Sequence, residues 1–365
     1  MPVLLSHCRI FERSLRWLVG LSLVFGSASA VADDKEGRTI DAKETRTIDA
    51  TGLCKMFWGI GNDSFTYCRN ERIGEVRPAI RRAVVVVHGK HRNAQNYFDA
   101  VSRLAAEEGR ANDTLVIALQ FLTQADTVAH RLPANVAYWD ADGWKHGLKS
   151  LNGSKLSSFE VLDQMLERLI DYNPNLEQIV IAGHSAGAQF VQKHAAARHL
   201  NVPAWKGQLH YVVTNAGTYM YLNGERPGDT RACKRDYNDY RYGIEHNRLE
   251  YFAGTSPDSL WKKFSEFPVT VLLGSEDTDE EGDRSCPAMA QGPNRFERGK
   301  HFHRLTAQAL PLQVPGAGSS KFRLRVIPHV GHDFERMWDS RCGRDLLFGN
   351  GDCNGSPPPR AAFPL

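Results

Sequence analysis

The chain is poor in cysteine for its length, with seven in 365 residues and no C-x-x-C pair among them. Without that spacing the usual zinc frameworks have no ligand set. Long apolar runs are also missing. The most apolar stretch, 17–25, is about half of the roughly 20 residues that span a bilayer. No sign of charge dominates: 45 Lys and Arg face 42 Asp and Glu, a formal net charge of +3. A nucleic-acid binder carries a concentrated basic excess, so that class is disfavoured. Repeats are limited to five residues occurring twice, Arg38–Ala42 and Arg46–Ala50, too little for a solenoid. Composition excludes collagen, coiled coil and wholesale disorder. What remains is a globular chain, 42% hydrophobic and 24% charged, long enough for one large α/β domain or two smaller ones.

The first thirty residues read as a secretory leader. Arg9, Arg13 and Arg16 precede the apolar run, and Ala28-Ser29-Ala30 or Ala30-Val31-Ala32 offers a small-residue cleavage site. Cleavage implies a secreted or periplasmic protein with no membrane span left. Segment 31–50 is polar and reads as a flexible mature N-terminus; 355–365 is a Pro-rich tail. Cys8 leaves with the leader, and six cysteines remain. An even number in an exported chain reads as a disulfide framework, for which 15 pairings exist. Local spacing favours Cys54–Cys68, Cys233–Cys286 and Cys342–Cys353. Asn62, Asn112, Asn152 and Asn354 each begin an N-x-S/T triplet, relevant only in a glycosylating host.

Between the tails, strands and helices alternate. Short β-branched runs at 83–88, 114–121, 176–182, 209–214, 269–273 and 322–327 read as strands, several apolar throughout. That pattern belongs to strands covered on both faces. Helical spacing occupies 93–108, 157–170 and 186–197. The series predicts a mostly parallel sheet with helices on both faces. An antiparallel hairpin is expected at 55–69, and 216–262, rich in Tyr and Arg, is a possible cap or insertion.

The strand QIVIA runs into Gly183-His184-Ser185-Ala186-Gly187 and then a helix. This is G-x-S-x-G in the strand–turn–helix setting that lifts a serine to the top of a sheet. A neutral serine is a weak nucleophile and needs a base oriented by an acid. Candidates follow in the right order: Asp277 after the 269–273 strand, and His332 after Gly331 beyond the last strand. Both lie at strand carboxyl ends, where open α/β sheets place their sites. Glu276, Asp279 and Asp283 crowd the acid loop, as a solvated loop or a calcium site. His329 competes with His332 and reads as a rim histidine.

With these motifs and the His88-Gly89 turn, the chain resembles the α/β-hydrolase superfamily over roughly residues 80–345. Tyr138-Trp139, Gly143-Trp144, Asp236-Tyr237-Asn238, Gln291-Gly292 and Asn294-Arg295 are similar to a group of secreted hydrolases of unassigned substrate. The resemblance implies an α/β-hydrolase domain over 51–354 with Ser185 as nucleophile, His332 as base and Asp277 as acid. It implies hydrolysis of an ester or related acyl bond without cofactor or metal, on a small or polymeric substrate. A serine peptidase, an acyltransferase or a non-enzymatic binding protein on this scaffold are the alternatives. Backbone N–H groups of Lys90 and Ala186 are the expected oxyanion donors. Tyr138, Trp139, Trp144 and Tyr219, with Tyr221 nearby, are candidate pocket residues. The run Lys90-His91-Arg92 is either a carboxylate-binding rim or a solvated loop. His301 and His303, on an expected helix, have no acidic partner at ligand spacing and read as surface residues.

Overall fold

The computed structural model describes residues 53–353 except positions 55, 154, 201–204, 206, 234–235, 280–281 and 318–320. The leader, the segment 31–50, Asn354 and the tail lie outside the described residues.

Eight strands make one sheet: β1 Met56–Ile60, β2 Asp63–Arg69, β3 Arg82–Val87, β4 Thr114–Gln120, β5 Gln178–His184, β6 Gln208–Thr214, β7 Val269–Gly274 and β8 Phe322–Ile327. Their order is β1-β2-β4-β3-β5-β6-β7-β8. β1 and β2 form the expected antiparallel hairpin, and β2 adds antiparallel to β4. From β4 to β8 every pairing is parallel.

The helices are α1 Ala94–Glu107, α2 Gln124–Ala129, α3 Ser158–Tyr172, α4 Ala186–Ala197, α5 Pro257–Glu266, α6 Cys286–Met289, α7 Arg295–Gln313, α8 Phe334–Asp339 and α9 Arg341–Phe348. They form two layers, and strand alternation decides which side chain meets which layer. Ala83, Val85 and Val87 of β3 pack with Phe159, Phe190, Trp261 and Phe302 from α3, α4, α5 and α7. Val84 and Val86 face the other way, towards Tyr97, Val101, Trp338 and Leu347 of α1, α8 and α9. Each such valine, fully buried, adds about 1.5–3 kcal/mol from apolar area removed from water.

α4 is buried at all twelve positions, as a helix must be when it starts in the sheet's centre beneath other helices. The insertion expected to end at 262 is shorter. α5 begins at Pro257, capped by the Ser256 side chain, and puts Leu260, Trp261 and Phe264 into the core. The described residues of 216–256 form loop with short turns at Arg231–Cys233, Asp236–Asn238 and Glu250–Phe252. All three expected disulfides are present, closing separations of 14, 53 and 11 residues. Among the described residues no helix is long and apolar enough to cross a membrane.

Candidate active site

β5 and α4 meet at Ser185, whose backbone sits at φ 58°, ψ −115°. A non-glycine residue there is strained, and its neighbours hold it in place. Ser185 donates its N–H to Thr214 O at 3.0 Å, and Gln189 N–H returns to Ser185 O. The flanking glycines are a steric necessity. A Cβ on Gly183 would lie 2.3 Å from Gly187 O, and one on Gly187 2.2 Å from Val87 O. The turn therefore carries the serine to the carboxyl end of the sheet, where it is partly exposed.

Two loops from neighbouring strands reach the same point. His332 Nε2 is 2.9 Å from Ser185 Oγ. His332 Nδ1 is 2.8 Å from Asp277 Oδ2, and the Asp277 carboxylate is fully buried. The ionised carboxylate can only accept, so Nδ1 carries the proton and Nε2 is free to accept from the serine hydroxyl. The loops are sewn together. Ser275 N–H donates to Ile327 O, and Glu276 N–H donates to Val330 O. Asn215 at the end of β6 joins both, accepting from Gly274 N–H at 2.9 Å and donating to Gly331 O at 3.1 Å.

Beside the serine lies the turn after β3. A Cβ on Gly89 would stand 3.7 Å from Ser185 Cβ, so Lys90 follows directly from a backbone that abuts Ser185. Buried groups fix this turn from several sides. His88 Nδ1 donates to Gly89 O and its Nε2 accepts from Phe121 N–H, which settles the neutral tautomer. Burial pushes the His88 imidazole down to about 4. Arg92, in the left-handed region at φ 56°, forks onto Asp126 at 2.7 and 2.9 Å and also donates to Lys90 O. Burial alone would raise the Asp126 carboxyl, but the Arg92 contacts hold it below its usual range. Tyr97 Oη accepts from Gly89 N–H at 3.1 Å and lies 3.3 Å from His184 Nδ1. Burial, and then His332 nearby, keep the His184 imidazole well below its usual value. Its ring centroid is 4.5 Å from that of His332. Ala186 opens α4, and the first N–H groups of a helix have no intrahelical partner.

Several expectations are corrected. Trp139, Trp144 and Tyr219 are not pocket residues: each is at most 1% exposed and packed in the core. Trp144 stacks on Phe121 and contacts His88, Trp139 packs on Phe65 and Phe121, and Tyr219 stacks on Phe302. Tyr221 is buried likewise. Tyr138 alone of the four is partly exposed, lining a cavity of about 350 Å³ with Gln124, Thr127, Val128 and Asn152. Neither Ser185 nor His332 borders that cavity.

The basic run divides: Lys90 and His91 face solvent, whereas Arg92 is 4% exposed and engaged by Asp126. The acidic loop residues take separate partners. Glu276 lies 3.3 Å from His329, and Asp283 accepts from the Tyr242 hydroxyl and Ser285 N–H. His329 stays exposed, away from Ser185 Oγ. His301 and His303 are half-buried rather than surface residues, bonded to Gln291 O and Phe322 O.

Arg295, which enters the resemblance without an assigned role, stands 3.1 Å from Asp277 Oδ1. Asn215, Tyr97 and Asp126 also brace the turns around Ser185, and sequence reasoning missed all three. Asn215 directly follows a buried strand, and a polar residue at a strand's carboxyl end is the one usable cue for it.

Sheet order, the serine turn and the two loops together define the α/β-hydrolase fold. Comparison with solved structures agrees. The chain is similar to poly(aspartic acid) hydrolase-1 from Sphingomonas sp. KT-1, at 22% identity and TM-score 0.57, over 81% of this chain and 98% of that one. It is also similar to a poly(3-hydroxybutyrate) depolymerase from Bordetella parapertussis, at 21% identity and TM-score 0.55, over 79% and 84%. No family model and no curated protein matches the chain.

Proposed function

We propose that the protein is an exported serine hydrolase that cleaves a carboxylic ester or related acyl bond. The observation that carries this reading is the unbroken array Ser185 Oγ–His332–Asp277, at 2.9 and 2.8 Å with matched tautomers. Ser185 attacks the carbonyl while His332 takes its proton, and the Asp277 carboxylate orients and stabilises the imidazolium. The Lys90 and Ala186 N–H groups hold the tetrahedral oxyanion, each such donor lowering the barrier by about 2.7–4 kcal/mol. His332 then gives its proton to the leaving group, and a water repeats the sequence to free the acid. Three disulfides and the leader-like N-terminus favour an oxidising compartment. Ser185 and His332 are both partly exposed, which favours a substrate, small or polymeric, that reaches the serine from solvent.

A second reading keeps the array and changes the bond or the acceptor, giving a serine peptidase or acyltransferase. Likeness to poly(aspartic acid) hydrolase-1 is the reason to keep amide substrates in any panel. The test is turnover of p-nitrophenyl esters of increasing acyl length by the mature, disulfide-intact protein. Ester turnover that falls about 10⁴-fold or more in Ser185→Ala and His332→Ala is expected. Turnover unchanged in Ser185→Ala removes the reading, and amide cleavage without ester cleavage selects the second one.

A further inference from the structure

Asp277 is a fully buried carboxylate, and a carboxylate buried this deeply needs charged or hydrogen-bonding partners on both oxygens. Arg295 supplies one. Its Nη1 lies 3.1 Å from Asp277 Oδ1, while Oδ2 faces His332. The Arg295 side chain is itself only 12% exposed. Its backbone is fixed, because it opens α7 behind the Asn294 cap, which accepts from Glu297 N–H. The next residue, Phe296, donates its N–H to Asp277 O at 3.2 Å. Gly282 lies against the guanidinium, since a Cβ there would stand 3.4 Å from Nη2. The helix start and the acid are thus joined through backbone and side chain at once.

We propose that Arg295 is a positioning residue for the array, clamping one oxygen of Asp277 so that the other is committed to His332. The proposal rests on the serine-hydrolase reading above. A carboxylate bonded only to His332 can rotate and present either oxygen; with Arg295 in place it has one orientation. Arg295 also sets how tightly the imidazolium is held. The groups facing His332 are Asp277 from the β7 loop, Ser185 and buried His184 from the β5 turn, and His91 from the β3 loop. Arg295 reaches it through Asp277, opposing part of that carboxylate's pull on the proton.

The test compares wild type with Arg295→Met, in disulfide-intact protein, on an ester the wild type hydrolyses. Loss of the clamp lowers kcat about 10- to 100-fold, since small misplacements near the chemistry cost that much. KM stays within about twofold, because the clamp touches no substrate. Asp277, no longer opposed, holds the proton on His332 more strongly, so the acid limb of the kcat profile moves up by about one pH unit. Arg295→Lys, a charge without the fork, restores the limb and part of kcat. A merely structural arginine lowers the melting temperature and leaves the limb unmoved. Wild-type kcat with an unmoved limb in folded Arg295→Met overturns the proposal. If that variant does not fold, Arg295→Gln gives the same two readouts: a lowered kcat with a raised limb supports the clamp, and neither change overturns it. A wild type without serine-dependent turnover fails the underlying reading instead, so the two failures are told apart.

Discussion

Single residues decide whether the turn after β3, the proposed oxyanion turn, is rigid before substrate arrives. Tyr97 is the clearest case, because its hydroxyl accepts from Gly89 N–H and points on to His184. Burial raises the phenol far above its usual range, so it stays protonated and can donate to His184 Nδ1 while accepting from Gly89. Tyr97→Phe keeps the ring, stacked 3.9 Å from Phe334, and removes only that link. We expect kcat to fall about tenfold, with KM little changed, because part of the preorganisation behind one oxyanion donor is lost. Steady-state kinetics against a matched melting curve checks this, and an unaltered kcat contradicts it. Ser185, Asp277 and His332 are legible in the sequence because each follows a strand in a fixed order. Tyr97, Asn215 and Arg295 are not, because their partners lie 87, 116 and 18 positions away in the chain and no spacing rule connects them. Arg92 misleads for the same reason: its partner Asp126 is invisible until β3 and β4 are side by side.

Among the elements, the turn between β5 and α4 depends on how closely α4 approaches β3. Gly187 sits where a side chain would meet Val87 O at 2.2 Å and His88 O at 2.6 Å, both backbone atoms that cannot swing aside. Gly187→Ala therefore pushes α4 off the sheet, a cost of about 1–3 kcal/mol or more. Urea unfolding is expected to show a lowered midpoint together with lost turnover, and a midpoint equal to wild type contradicts the packing argument. The strands and main helices are readable from sequence because continuous β-branched apolar runs and helical periodicity are local properties. Boundaries are less so. β5 runs on to His184, since its last residues are fixed by pairing with β6 rather than by their own hydrophobicity. α5 merges with the expected insertion because its polar face, Lys262 and Lys263 among it, hides the apolar stripe Leu260, Trp261 and Phe264. The rings of Trp139 and Trp144 mislead because a loop position does not reveal whether a ring turns outward or seals a core.

For the whole molecule, several buried histidines tie stability to pH. Burial lowers His88 and His210 to about 4, and lowers His146 and His184 well below their usual value. An unfolded chain protonates these rings near pH 6.5, so between about 6.5 and 4 the unfolded state binds more protons. Their contribution is present above pH 6.5 and is lost as pH falls towards 4, at up to about 1.4 kcal/mol per pH unit for each ring. His246, raised by its contact with Asp239, acts in the opposite sense but is fully exposed. The urea midpoint is therefore expected to decline steadily from pH 7 to pH 5, and a flat profile contradicts the neutral burial of these rings. Activity at mildly acidic pH is then bounded by folding.

Covalent capture of the proposed nucleophile probes the Ser185–His332–Asp277 array without any knowledge of the substrate. Mature, disulfide-intact protein is treated with a fluorophosphonate and digested, and the modified peptide is located by mass spectrometry. Stoichiometric modification at Ser185 is expected, abolished in Ser185→Ala and strongly slowed in His332→Ala. Folded wild-type protein that takes up no label, or takes it up at another serine, contradicts an activated Ser185 and with it the serine-hydrolase reading.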